Sequence, residues 1–190
     1  AINDVTVLVG APAEMASGHN GAGNAYTFVA TTGSVIETLS SPNPVDFGQF
    51  GIGVAINGAM ALVGAPGETA SGDNGAGNAY TFSTQSGPLL FGEFPSPNPI
   101  AFGEFGSSVA LSGSTIVLGA SHETAAGQAQ AGHAYVSANL PITLTSPNAA
   151  ANGFFGVSVA TSGGIIVAGA WGETASAMSN AGHAYIFNTN

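Results

Sequence analysis

Four glutamates, Glu14, Glu68, Glu123 and Glu173, each stand twelve residues ahead of a tyrosine, at Tyr26, Tyr80, Tyr135 and Tyr185. Three chemistries are open to a carboxylate at so regular a spacing. It can ligate a hard cation, which takes about six to eight oxygens; Glu68, with Asp73, Asn74 and the carbonyls of the Gly- and Ser-rich loop between them, is the candidate calcium set. The other copies lack the second acid and place His19, Gln128 and Met178 there. It can join a second carboxylate for glycoside cleavage, but no spacing to Glu37, Glu93 or Glu104 favours a pair. Or it can cap its own loop by accepting backbone N–H bonds, the reading that recurrence in all four copies favours.

Few other side chains offer chemistry. His133 and His183 occupy the column that holds Asn24 and Asn78 in the earlier copies, so a structural hydrogen bond to a backbone carbonyl is expected of them rather than metal ligation. His19 and His122 fall in other columns. There is no Cys, no Gly-x-Ser-x-Gly elbow, and no Lys or Arg to hold phosphate or carboxylate. The Gly-rich stretch Gly18 to Gly23 leads into a strand rather than a helix, so it lacks the helix N-terminus that a phosphate loop requires. The chain is therefore expected not to be an enzyme. Trp171, the single tryptophan, replaces the Pro of Gly-Ala-Pro in the last copy and is a candidate contact for a sugar or a neighbouring subunit, or else a loop anchor.

Composition narrows the partners. Only 5% of the 190 residues are charged, none is cationic, and the formal charge is −10. Nucleic acid and anionic membrane surfaces both need cationic side chains and are excluded. No apolar run is long enough to span a bilayer, so membrane insertion is not expected. The apolar share of 45% is enough for one sizeable core. What is left for the surface is Ser, Thr, Asn, Gly and Ala. Such a surface packs on copies of itself with little loss of side-chain entropy and gives trypsin-like proteases nothing to cut.

The elements that must hold these residues are short strands. Phe-Gly to Gly-Ala is always thirteen residues (Gly51 to Gly64, Gly106 to Gly119, Gly156 to Gly169), while all variation in length lies between Tyr and the next Ser-Pro-Asn. Fixed lengths protect strand faces, because a slip of one residue turns every side chain over. In one unit, Phe105 to Leu111 alternates, Ser112-Gly113-Ser114 supplies a turn, Thr115 to Gly119 is an apolar run, His133 to Val136 gives a third strand and Pro141 to Thr145 an edge strand. Phe50, Phe105 and Phe155 are expected to open the first strands, and Phe47, Phe91, Phe94, Phe102 and Phe154 to lie in the elastic linkers. The expected fold is all-β: a β-propeller-like array of four-stranded antiparallel blades, about 3.5 to 4 repeats of 50–55 residues, with a sandwich of independent hairpins as the competitor. One repeat domain over 1–190 divides into a partial blade at 1–46, blades at 47–101 and 102–152, and a partial blade at 153–190.

Phe-Gly-x-Ser-Val-Ala-x-Ser-Gly, then Val-x-Gly-Ala-Pro-x-Glu, then Ala-Gly-x-Ala-Tyr-x-Phe resembles the FG-GAP repeat, the blade unit of integrin α-subunit heads and of many microbial surface proteins. The resemblance implies a propeller used outside the cell for adhesion or ligand binding, usually without catalysis. The calcium loop of integrin blades resembles Asp-x-Asp-x-Asp-Gly between the first two strands; the turns here read Ile56-Asn57-Gly58-Ala59, Leu111-Ser112-Gly113-Ser114 and Thr161-Ser162-Gly163-Gly164, so that site is not carried over.

Ala1 to Gly10 aligns on Ala55 to Gly64, so the first blade is expected to lack its Phe-Gly strand and the last its fourth. Fourteen strands are expected where four full blades need sixteen. Three explanations stay open: an excerpt of a longer array, three-stranded or merged end blades, or missing strands supplied by a neighbour through β-addition. The edges expected to associate carry Val5, Val7 and Val9 at one end and Tyr185 and Phe187 at the other. The resulting expectation is an extracellular or cell-surface structural or adhesive subunit, a homo-oligomer or polymer formed by strand addition. The alternative is an integrin-like module binding a glycan or surface protein, with calcium as its one candidate cofactor. No Asn-x-Ser/Thr acceptor is present, so a glycan on the chain would be O-linked.

Overall fold

The computed structural model describes residues 1–85, 87, 89–137 and 141–188, without the side chain of Pro141. Among them every regular element is a strand, and all pairings between the strands are antiparallel. The first sheet holds β1 (Thr6–Ala11), β2 (Asn24–Val29) and β3 (Val35–Ser40) in that order. In the second, β4 (Val54–Asn57), β5 (Met60–Ala65), β6 (Asn78–Ser83) and β7 (Leu90–Pro95) lie in sequence order. The third repeats the pattern with β8 (Ser108–Ser112), β9 (Thr115–Ala120), β10 (His133–Ser137) and β11 (Pro141–Thr145). The fourth has β12 (Ser158–Ser162), β13 (Ile165–Ala170) and β14 (His183–Asn188). Four meander sheets of three or four strands are consistent with propeller-like blades.

Alternation along each strand divides its side chains between two neighbouring sheets. Leu8, Ala25 and Leu39 of the first sheet meet Ala61, Val63, Tyr80 and Phe82 of the second around Phe50. Leu62 and Ala79, on the other face of that second sheet, meet Leu118 and Tyr135 around Phe105. Ala134, Val136 and Leu144 of the third then meet Ile166, Ala168 and Phe187 near Phe155. Each interface thus has one phenylalanine at its centre, buried to within 1%.

Those phenylalanines do not open the first strands as expected. They lie in the turns ahead of β4, β8 and β12, on linkers whose alternate residues are left-handed: Phe47 and Gln49, Phe102 and Glu104, Asn152 and Phe154, all with φ between 55° and 59°. The coiling turns successive N–H groups the same way. Phe47, Gln49 and Phe50 donate to the carbonyls of Asn20, Gly21 and Ala22 in the first sheet's loop, and the same three bonds recur from Phe102, Glu104 and Phe105 to Asn74, Gly75 and Ala76. Asn152, Phe154 and Phe155 repeat them on Ala129, Gln130 and Ala131. A linker is therefore bonded to the sheet it leaves while its phenylalanine fills the interface with the sheet it enters.

Length variation is absorbed at the outer hairpins. β2 and β3 slip register between Thr27 and Phe28, β6 and β7 between Thr81 and Phe82, while β10 and β11 pair without a slip. Phe91 and Phe94, expected in an elastic segment, lie within β7.

The first sheet keeps a remnant of its missing strand. Leu8 and Ala1 exchange backbone bonds, Ile2 bridges Val7, and Asn3 donates to the Thr6 carbonyl.

Candidate functional site

The glutamate column is the most regular polar feature, and the structure turns it inward. Glu68, Glu123 and Glu173 are at most 1% exposed. Among the described residues no backbone N–H is found capping them; the hydrogen bonds on them come from side chains. Glu68 accepts from the Tyr80 hydroxyl at 2.5 Å and from Asn78 Nδ2 at 3.0 Å. Glu123 takes Tyr135 at 2.5 Å, His133 Nδ1 at 2.8 Å and the Ser96 hydroxyl at 2.6 Å. Glu173 accepts from Tyr185 and from His183 Nδ1. The two histidines thus serve a carboxylate rather than the backbone carbonyl expected of them, and Asn78 serves both, reaching the Thr69 carbonyl as well. Facing a carboxylate, Nδ1 must carry the hydrogen.

The serine partner was not anticipated, although its signal was in plain view. Ser41, Ser96 and Ser146 each precede the next sheet's glutamate by 27 residues. Each ends its own sheet in a Ser-Pro-Asn turn in which the hydroxyl accepts the N–H of the Asn two residues on, at 3.0 to 3.1 Å. The same hydroxyl then faces the following sheet, at Glu123 for Ser96 and beside Glu68 for Ser41. The Asn of the turn crosses too: Asn43 donates to the Tyr80 hydroxyl and Asn148 to that of Tyr185. The motif is a polar tie between consecutive blades.

Burial decides its electrostatics. Desolvation raises the Glu68 carboxyl above its ordinary range, against the pull of Ser41, Tyr80 and Asn78. Burial, reinforced by the adjacent carboxylate, pushes Tyr80 and Tyr135 far above the usual tyrosine value. Glu14 lies at the exposed end of the array with Tyr26 and Asn24 but without a Ser-Pro-Asn turn, and those two donors lower its carboxyl.

The calcium candidates go separate ways. The Glu68 carboxylate faces Tyr80 and Asn78, Asp73 closes a backbone bridge with Ala70, and the Asn74 side chain takes the Thr69 hydroxyl. No group of three or more acids, His or Cys able to hold a metal is found among the described residues. Trp171 is 55% exposed and stacked parallel on Phe154, ring centroids 5.0 Å apart, with His122 on that ring at 5.1 Å.

The anticipated association edges are displaced by one residue. The Val5 carbonyl accepts from Ala30, and Val7 and Val9 sit opposite Phe28 and Tyr26. Leu8 points its backbone the other way, toward Ala1, so the inner edge passes through Leu8 and Gly10. At the far end Tyr185 and Phe187 pack their rings on Phe155. In β6 it is Gly77 and Ser83, on either side of Ala79 and Thr81, that turn backbone groups toward the outer strand. The corresponding outward residues of β14 are Ala184 and Ile186.

Close backbone contact distinguishes the inner blades from the last. A Cβ on Gly10 would lie 1.7 Å from the Gly51 carbonyl oxygen, one on Gly64 1.9 Å from that of Gly106, and one on Gly119 2.0 Å from that of Gly156. Gly169, the fourth of the series, meets no such carbonyl among the described residues; its nearest neighbour there is the Ser158 hydroxyl.

Like antiparallel sheets joined by a Phe-Gly linker and a Ser-to-Glu tie define an all-β repeat protein of propeller-like blades. The chain belongs to the FG-GAP repeat family, whose model matches residues 37–82, 101–137 and 142–187. Among curated proteins none matches it. No helix long and apolar enough to cross a membrane is found among the described residues.

Proposed function

We propose that the chain is a non-enzymatic extracellular structural or adhesive subunit that assembles through its end blades into a filament or surface layer. One observation carries this reading: each end exposes apolar positions that every inner interface buries. At the far end Ile186 is 75% exposed, whereas its counterpart Val136 is fully buried; at the near end Val9 is 46% exposed, whereas Val63 is fully buried. The two faces are the two halves of an inter-blade contact, so subunits meeting head to tail reproduce a packing already used three times within the chain. A surface without Lys or Arg removes the long cationic side chains that ordinarily hold copies apart. FG-GAP repeat domains are typically extracellular, which suits the setting. Sedimentation and electron microscopy of the native protein test it: assemblies of many subunits are expected, and a monodisperse single-chain particle at all concentrations overturns it.

A second reading, a ligand-binding module, has its own support. A groove of about 560 Å³ runs between Phe47 and Phe102, each 71% exposed, with Pro66, Asn74 and Glu104 along it. Exposed rings beside polar groups suit a sugar. The buried glutamate column plays no part in it. A glycan panel that leaves the melting temperature unmoved excludes this reading.

A further inference from the structure

Two grooves beside the linkers are copies of one another. Pro12, Asn20 and Phe47 line the first, of about 390 Å³, and their counterparts Pro66, Asn74 and Phe102 line the second, of about 560 Å³. Phe47 and Gln49 line both, so the two share a wall and run on as one surface. The fold does not ask for these rings. Phe50 and Phe105 fill the sheet interfaces, whereas Phe47 and Phe102 leave 71% of their surface in solvent and stand at φ 59°, where a bulky side chain is disfavoured. Asn152 holds the same place in the third linker at the same φ, so a small polar residue serves the backbone equally well. Each ring rests by its Cδ1 edge on a glycine of the sheet before it, 3.4 Å from the Cβ that Gly21 would carry and 3.1 Å from that of Gly75. The row extends past Phe102: Glu104, on the wall of the second groove, meets His122 Nδ1 at 2.9 Å, and the His122 ring lies 5.1 Å from Phe154, which is stacked on Trp171. Exposed apolar surface held in a fixed place and bordered by polar groups marks a binding face.

We propose that this row is a binding face for a neutral polysaccharide chain, with sugar rings seated on its aromatic stations. The inference rests on the ligand-binding reading above and adds the class of ligand. Repetition points to a polymer, since equivalent grooves one blade apart suit a ligand whose own units recur. Chemistry selects which polymer. One face of a pyranose is a layer of C–H bonds that lies on the negative face of an aromatic ring, while its hydroxyls seek acceptors at the rim. Those acceptors are in place. Asp46 is fixed through Oδ1 by the Asn20 N–H at 3.0 Å and His19 at 3.3 Å, and Glu104 through Oε2 by His122, which leaves each a second oxygen for a hydroxyl. With carboxylates along it and no Lys or Arg in the chain, the face repels an anionic glycan.

The test runs the whole native chain through gels that hold a soluble neutral polymer (hydroxyethyl cellulose, laminarin or galactomannan), with alginate and polylysine as charged comparators, and measures the matching oligosaccharides by calorimetry. Retardation by a neutral polymer is expected, and affinity should climb about tenfold or more from disaccharide to hexasaccharide as a second station is engaged. Phe47→Asn and Phe102→Asn copy Asn152 at the same φ, so each should weaken polymer binding about fivefold with the melting temperature preserved. The double variant should abolish retardation. If disaccharide and hexasaccharide bind alike and Phe102→Asn removes both, the ligand-binding reading stands and the row falls. Full binding in the double variant refutes the row as well. Capture by alginate or polylysine in place of every neutral polymer overturns the choice of ligand. A chain that binds no glycan of any length removes this inference together with the reading it rests on.

Discussion

Gly119 and Gly169 occupy the same place in successive repeats, yet among the described residues one lies under a neighbour's carbonyl and the other under a serine hydroxyl alone. The two blades share three strands, their linker and their Glu-Tyr pair. Among the described residues, what separates them is a fourth strand, β11, and a further sheet on the outer face. The comparison teaches that much of this repeat's residue choice is dictated by its neighbour rather than by its own fold: Gly169 relieves only a contact with the Ser158 hydroxyl of its own sheet, 2.5 Å from where a Cβ would lie. A residue whose justification lies outside its own sheet marks an interface.

The comparison can be broken at several points. The largest effect is expected from emptying an inner interface: Phe105→Ala should cost about 4 kcal/mol by urea unfolding, since a buried phenylalanine leaves a cavity that rigid sheets cannot close. A loss below about 1 kcal/mol would mean that the sheets do not depend on the ring at their centre. Gly119→Ala should cost about 3 kcal/mol, because the methyl meets backbone on one side and Ser108 on the other. Gly169→Ala should change stability by less than about 0.5 kcal/mol. Equal effects of the two alanines would erase the distinction between inner and end blades.

Hydrogen bonds give a smaller contrast. Tyr135→Phe removes a donor from a fully buried carboxylate and should cost about 2 kcal/mol, whereas Tyr26→Phe at the solvent-exposed Glu14 should leave the unfolding midpoint unmoved. The smallest signal sharpens the comparison by pH. Carbon NMR titration should place the Glu68 midpoint above the ordinary 4.5 and that of Glu14 below it. The folded chain holds the Glu68 proton more tightly than the unfolded chain, so this carboxyl favours folding at low pH and withdraws that support as pH rises from about 4.5 to its folded midpoint. Glu14 works in the opposite sense, supporting the fold above its ordinary value and losing that support as pH falls through its lowered midpoint. Coincident midpoints would show that depth in the array has no hold on these groups.

The strands were legible because alternation and fixed spacing follow from two-faced sheets; the apolar run of Thr115 to Gly119 could be nothing else among so many glycines. The destination of the glutamates was not. A constant distance to Tyr announces a contact within the repeat, and Glu123 to Tyr135 is one. The Ser96 bond spans two repeats, and its 27-residue spacing emerges only when the count crosses the boundary. Phe50, Phe105 and Phe155 were misplaced for a related reason: periodicity attaches a ring to the strand that follows, whereas left-handed linker residues detach it. The association edges erred by the pleat itself, since a side chain's outward direction is not that of the backbone groups one position away. The Ala1 to Asn3 remnant was hidden inside an alignment that did show it, Ala55 to Asn57 being the end of β4.

The recurring left-handed pairs at Phe47 and Gln49, Phe102 and Glu104, and Asn152 and Phe154 hold every crossing between sheets to one local geometry. Each joint is thus written in main-chain torsions within the repeat that follows it, so a module carries its own means of attachment to the one before.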